Sequence, residues 1–375
     1  MKIAIDARMY GTKQFSGIGT YIQRLTDEIF QLDQENQYIM FMREPAFSKF
    51  KVPNERVKKV LVKSRHYSYD EQFKLPFEFM KEKFDLIHYP HFNSPILYPK
   101  KSVCTIHDIT PLFFPGHKMK SIVRRIGYKA VFSGTLRKAK HVIAVSNSTK
   151  LDIVKHLNIK SKKISVVYEG VDESFRKIDD YGIINKTKKQ FGITKPYLFY
   201  VGVWRSHKNI EGLVKAFDLL KKKYKLDYQL VLGGREDLHY TKVREIINCS
   251  PFKQDIITTG YVQKSELPIL YNAAELFVLP SFIEGFGLIC IEAQACGTPV
   301  VSTNTSSMPE VLGDSALFFD PKDENEMADK IHQILSNQNL KQKLITKGFY
   351  NVTRFSWKKC ALETLRIYKQ IHGNT

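Results

Sequence analysis

Cysteine is sparse in this chain of 375 residues: Cys104, Cys249, Cys290, Cys296 and Cys360 are odd in number, scattered and never at metal-ligand spacing. That pattern excludes a disulfide framework and a structural zinc site and points to a reduced, cytoplasmic protein. Cys104 and Cys290 lie in apolar runs, where a small buried side chain explains them more simply than a nucleophile does. No stretch reaches the ~18 to 20 apolar residues needed to span a bilayer. The opening MKIAIDARMYG interrupts its apolar start with Asp6 and Arg8, unlike a secretory leader. No internal repeat marks a solenoid. Acidic residues almost vanish between positions 101 and 150, where ten Lys/Arg face the single acid Asp108.

The formal net charge of +20 is therefore uneven, because positions 251 to 350 hold seven Lys/Arg against twelve Asp/Glu. An anionic partner on one face of the amino-terminal half is expected. Nucleic acid is a rival partner, but the basic residues fall on helices without a recognisable RNA- or DNA-binding module, so specific nucleic-acid binding is not expected. The stretch Lys118 to Lys140 mixes basic side chains with Met119, Ile122, Val123, Ile126, Tyr128, Val131, Phe132 and Leu136. It suits a helix lying on an anionic membrane surface, or a core-packed helix with a solvated basic face.

With 43% hydrophobic residues, the chain is long enough for two ordinary domains. Lys2 to Asp6 reads as a first strand, and Thr20 to Leu32 has helical apolar spacing. Further strands are expected at Tyr38 to Met42, Val57 to Val62, Leu86 to Tyr89, Val103 to Ile106, Val142 to Val145 and Ile164 to Val167. After a polar, lysine-rich stretch from Glu173 to Gln190, a second series follows at Tyr197 to Val201, Gln229 to Leu232, Asp255 to Thr259, Leu276 to Leu279, Pro299 to Ser302 and Ala316 to Phe319. Strands alternating with helices imply α/β architecture with two doubly wound, Rossmann-like domains. We place the boundaries at 1–175, 176–354 and 355–375. The last piece is an amphipathic helix with Trp357, Leu362, Leu365 and Tyr368 on one side.

The segment SFIEGFGLICIEAQACGTPVV, Ser281 to Val301, carries the most chemistry. It follows a strand ending at Pro280 and opens a helix, so the amides near Gly285, Phe286, Gly287 and Leu288 suit a phosphate. Glu284 and Glu292 are eight residues apart, which on a continuous helix is two turns and about 12 Å of rise. In YVGVWRSHKN, Tyr200 to Asn209, Arg205 and Lys208 follow another strand and suit a diphosphate. In VCTIHDITPLFFP, His107 and Asp108 end a third strand, where a histidine can serve a sugar hydroxyl or carry a proton. SGIGTY, Ser16 to Tyr21, is a short glycine loop with Gly17 and Gly19, lacking the third glycine of a dinucleotide fingerprint. Glu310 in MPEVLGDSALFFDP fits either a ligand contact or a helix-starting carboxylate.

The E-x7-E spacing, the Gly-Thr-Pro-Val-Val run at Gly297 to Val301 and the R-x-H-K-N pattern, with Ser206 where proline is usual, resemble the retaining glycosyltransferases of family 4. Within that family the chain is most similar to mannosyltransferase-like, group 1 members. The resemblance implies a GT-B fold, with an amino-terminal acceptor domain, a carboxyl-terminal donor domain and a last helix returning to the first domain. It implies a nucleotide-sugar donor as substrate and no cofactor: GDP-mannose, or a UDP-sugar as the alternative. Glu284 and His107 would face the transferred sugar, Glu292 the ribose, and Tyr261 and Val262 the nucleobase. Arg205, Lys208, the Gly285 to Leu288 amides and the Gly17 and Gly19 loop would lie by the phosphates. Transfer would be metal-independent, since the chain has no motif like the paired aspartates of the other main glycosyltransferase fold. The acceptor would be a glycan or lipid-linked sugar in surface polysaccharide, lipopolysaccharide or O-antigen synthesis, with the enzyme peripheral on the inner face of the cell membrane. Epimerases and phosphorylases share the architecture, but the two motifs together argue for transfer.

Overall fold

A computed structural model describes residues 1–11, 17–116, 122–237 and 239–373, without the side chains of 123 and 124. Ser16, Lys118, Met119 and Lys120 of the motifs above lie outside the described residues, as do the side chains of Val123 and Arg124.

The chain divides into two compact units, Met1–Gly170 with Ser356–Thr375, and Val171–Phe355. The divisions fall at 170 and 355, close to the expected positions 175 and 354. Local contacts explain the small offsets. A Cβ on Gly170 would lie 2.1 Å from the Trp357 nitrogen, so this glycine packs against the start of the last helix. Asp172 instead pairs with Lys264 at 3.0 Å, and the Phe355 ring meets Phe286 with centroids 5.4 Å apart, which holds both residues in the second unit.

The first unit has seven strands: β1 (Lys2–Asp6), β2 (Gln37–Met42), β3 (Val57–Leu61), β4 (Leu86–Tyr89), β5 (Ser102–Ile106), β6 (His141–Ala144) and β7 (Ile164–Val166). Their order is β3-β2-β1-β4-β5-β6-β7, and every pairing is parallel. The second unit has β8 (Tyr197–Val201), β9 (Gln229–Gly233), β10 (Ile256–Gly260), β11 (Leu276–Leu279), β12 (Val300–Thr303) and β13 (Ala316–Phe319), ordered β10-β9-β8-β11-β12-β13 and again parallel. The central strands β8, β9 and β11 are buried along their whole length. That is why they read as unbroken apolar runs rather than alternating ones.

Each strand order reverses once, between β1 and β4 and between β8 and β11, and ligands of such sheets bind beyond the carboxyl ends of strands at these switch points. In the second unit the relevant ends lead into Arg205–Lys208 and Ser281–Glu284. In the first they lead into Ala7–Arg8 and Pro90–Asn93, with His107 following the adjacent β5.

Two expectations need correction. Gly17 and Gly19 lie in the first turn of the helix Gly17–Leu32, not in a loop. Gly19 is buried so closely that a Cβ would come 2.9 Å from the Met9 carbonyl oxygen, whereas Gly17 meets nothing within 4 Å. In the last helix, Trp357–Gly373, Leu362 is exposed; the buried face uses Trp357, Cys360, Ala361, Thr364, Leu365, Ile367 and Tyr368. The basic helix Ile122–Lys138 puts Phe132, Thr135 and Leu136 in the core and leaves Ile122, Arg125, Ile126 and Lys129 exposed. Among the described residues no helix is long and apolar enough to cross a membrane.

Candidate active site

In the second unit, β8 ends at a glycine that lets the chain turn without a side chain. A Cβ on Gly202 would meet the Tyr200 hydroxyl at 2.7 Å. Its amide donates to the Gly233 carbonyl and that of Trp204 to the Arg235 carbonyl, which extends the ladder past the strand. A short turn Ser206–Lys208 follows, and Asn209 closes it at φ 51°. Asparagine tolerates this left-handed conformation better than most residues. Its side-chain Nδ2 donates to the carbonyls of Pro280 (3.1 Å) and Pro321 (2.7 Å), fixing the turn to the ends of β11 and β13. The Phe282 amide donates to the His207 carbonyl, a second tie between the two motif loops.

These ties bring Lys208 and Glu284 together. Lys208 Nζ donates to Glu284 Oε1 at 2.7 Å, and Ser281 Oγ donates to the same oxygen at 2.7 Å. The Glu284 backbone is also held, its carbonyl accepting from Ser306 Oγ (2.6 Å) and Ser307 Oγ (3.0 Å). Burial alone would raise the Glu284 carboxyl, but Lys208 and the Ser281 hydrogen bond more than offset it, so the group is held below its usual value. His207 is pushed down to about 4, by burial first and Lys208 second, so it is neutral near pH 7.

Gly287, at φ 86°, caps the helix Leu288–Ala295, whose start has no acidic residue and no side-chain cap. A helix start of this kind attracts an anion through its amides and dipole. Glu292 sits on this helix and accepts from the Tyr271 hydroxyl at 3.2 Å. Glu284, however, lies in the loop before Gly287, so the expected two-turn helical geometry between the glutamates does not hold. The left-handed glycine separates loop from helix.

The other candidates have partners or positions of their own. Arg205 is 60% exposed at its side chain and 3.8 Å from Asp237. Tyr261, after β10, is exposed and stacks under the Arg235 guanidinium at 5.2 Å, while Val262 is buried. Glu310 lies in the first turn of the helix Met308–Leu312.

In the first unit, His107 follows β5 with both ring nitrogens engaged: Nδ1 with Glu169 Oε1 at 2.9 Å and Nε2 with the Pro90 carbonyl at 3.0 Å. Both partners accept, so both nitrogens carry protons when His107 is charged. Burial opposes that charge, but Glu169 outweighs it, and the net shift is upward. Asp108 accepts from the Thr110 amide at 2.8 Å, the local turn bond typical of aspartate.

Sequence reasoning passed over Glu169, Ser281, Ser306 and a buried ion cluster at the β1 end. There Arg8, fully buried, pairs with Asp6 (2.7 Å) and Glu71 (2.8 Å), and Glu71 also accepts from Asn93. Burial raises the Glu71 carboxyl, but His66 and Arg8 outweigh it and bring it down to about 2. The D-x-R ending an apolar strand was the available signal. Its partner, Glu71, lies 63 residues beyond Arg8. Among the described residues no group of three or more His, Cys, Asp or Glu side chains is arranged to hold a metal ion.

Two doubly wound units, with a lysine–carboxylate pair and a glycine-capped helix start at one switch point, place a candidate anion-binding site at the end of the second sheet. The sequence profile of "Glycosyl transferases group 1" matches residues 183–349, and that of "Glycosyltransferase Family 4" matches residues 15–175. The chain is 30% identical over 284 residues to O-antigen chain mannosyltransferase B of Escherichia coli, covering 76% of this chain and 74% of that one. It is also 30% identical over 268 residues to O-antigen chain mannosyltransferase RfbU of Salmonella typhimurium, covering 72% and 69%. The solved structure of sucrose-phosphate synthase from Thermosynechococcus elongatus aligns with a TM-score of 0.80 at 20% identity, covering all of both chains. This chain belongs to the family 4, group 1 glycosyltransferases and has the GT-B fold.

Proposed function

We propose that this glycosyltransferase moves mannose from GDP-mannose to a glycan or lipid-linked sugar acceptor, with retention of configuration, in the assembly of a surface polysaccharide such as O-antigen. The observation that carries the reading is the Lys208–Glu284 pair beside the start of the helix Leu288–Ala295, at the switch point of the second sheet. Likeness to two O-antigen mannosyltransferases supports the choice of sugar.

The donor diphosphate binds the amides around Gly285 to Leu288, and Lys208 offsets negative charge as the nucleoside diphosphate leaves. Arg205, exposed beside Asp237, adds a second cation to the phosphates. Glu292 receives the ribose, and Tyr261 and Val262 the base. Glu284 orients the sugar hydroxyls as an ionised carboxylate without forming a covalent intermediate. His107, braced by Glu169, which favours its charged form, serves the sugar side. Transfer needs no metal and no cofactor. The first unit receives the acceptor, and its exposed Ile122, Arg125, Ile126 and Lys129 meet an anionic membrane surface.

The test is a thermal-shift panel of GDP, GDP-mannose, UDP and UDP-sugars, since a ligand of the native state raises stability by mass action. It is followed by transfer from labelled GDP-mannose, with product configuration read by NMR. Stabilisation by the guanine compounds and an α-linked product are expected. Stabilisation by uridine compounds alone overturns the donor, and an inverted product overturns the stereochemistry.

A further inference from the structure

A cleft of about 470 Å³ opens at the amino-terminal edge of β6 and β7, lined by Arg137, Lys140, His141, Lys160, Lys162 and Lys163 together with Asn158 and Ile159. No carboxylate lines it, and among the described residues no salt bridge joins any of its five Lys/Arg to an acid. Lys163 Nζ donates to the Arg137 carbonyl at 2.6 Å within the cleft.

The cleft is separate from the His107 site. In the parallel register Val103 pairs with His141, so the cleft is level with the beginning of β5, whereas His107 follows its end. Four residues of strand separate them along the sheet, or about 13 Å.

Helix dipoles do not account for so much charge. The helices Ile122–Lys138 and Asn147–Leu157 both end here, and each carboxyl terminus carries roughly half a negative charge. Together they offset about one of the five cations. The cations also act on one another: Lys163 is shifted down by burial first and Lys140 second, and His141 by burial first and Lys163 second. A concavity lined by charges of one sign focuses the field and raises the local concentration of anions.

We propose that this cleft binds a phosphate-bearing anion, either a soluble diphosphate or the headgroup of an anionic lipid. The lysines act as mobile point charges and Arg137 offers a planar pair of donors.

The experiment uses the full-length protein in a Lys208→Ala background, chosen to weaken diphosphate binding at the donor loop. A cleft variant (Lys140→Gln, Lys160→Gln, Lys162→Gln) is compared with a charge-matched control (Lys186→Gln, Lys189→Gln, Lys222→Gln) whose residues are exposed in the second unit. Inorganic pyrophosphate is titrated by calorimetry, and vesicles of phosphatidylcholine with phosphatidylglycerol are tested by co-sedimentation. A loss of pyrophosphate affinity of tenfold or more in the cleft variant, with the control unchanged, supports a soluble anion. The same selective loss on vesicles alone supports a lipid headgroup. The cleft variant should melt no lower than its parent, because it relieves repulsion. Equal losses in both variants, or no cleft-specific loss in either arm, overturn the proposal.

Discussion

Lys208 and Glu284, 76 residues apart, meet at 2.7 Å because the strands that deliver them, β8 and β11, are neighbours at the reversal of the second sheet. The pair is mostly buried, with side-chain exposures of 19% and 11%. Removing one partner of a buried pair leaves the other charge uncompensated.

Lys208→Ala should therefore lower kcat/KM by about 10²- to 10³-fold, the usual loss for one charge-stabilising group. Glu284→Gln should lower it comparably. Because the two residues act on each other, the double variant should lose much less than the product of the single losses. Strict additivity in the kinetic cycle would remove the pair from the site.

The His107–Glu169 contact yields a titration test. His107 is raised in the folded state, so its stabilisation is complete below the ordinary histidine value and is lost as pH rises through the folded value. Glu169→Gln should bring the His107 titration, followed by NMR, down to or below ordinary histidine. An unmoved titration would show that Glu169 is not the cause.

Buried His88 has the opposite sign. It bonds to the Tyr368 hydroxyl and Thr105, and burial with His107 nearby pushes it down to about 3. Its contribution is present above the ordinary histidine value near 6.5 and fades as pH falls from there towards 3, by up to a few kcal/mol. Acid unfolding of His88→Gln should be flatter across that window than that of the wild type. Parallel curves would assign the acid sensitivity elsewhere.

Glu71→Gln should destabilise the protein by about 3 to 5 kcal/mol, because it strands the buried Arg8 charge. Chemical denaturation measures this directly. A loss under 1 kcal/mol would mean that Asp6 alone satisfies Arg8.

The two nearby glycines should separate in thermal melts. Gly19→Ala must push against the Met9 backbone and should lower stability, whereas Gly17→Ala meets open space and should be neutral or stabilising by up to about 1 kcal/mol. Equal effects would contradict the packing of this turn.

The strands and the alternating α/β architecture were legible from the chain alone, because apolar runs such as Tyr197–Val201 and Leu276–Leu279 record burial on both faces of a parallel sheet, a local property. The motif loops were legible for the same reason, since glycine and charge at the end of an apolar run report a turn at a sheet edge. Partners were not. Glu169 for His107, Glu71 for Arg8 and Ser306 for Glu284 follow from which strand ends become neighbours, and that depends on strand order rather than on any window of sequence. Nor could spacing show that Gly287 breaks the helix between Glu284 and Glu292, or that five cations surround one cleft. Those outcomes were decided by tertiary packing, which converts long separations along the chain into contacts of about 3 Å.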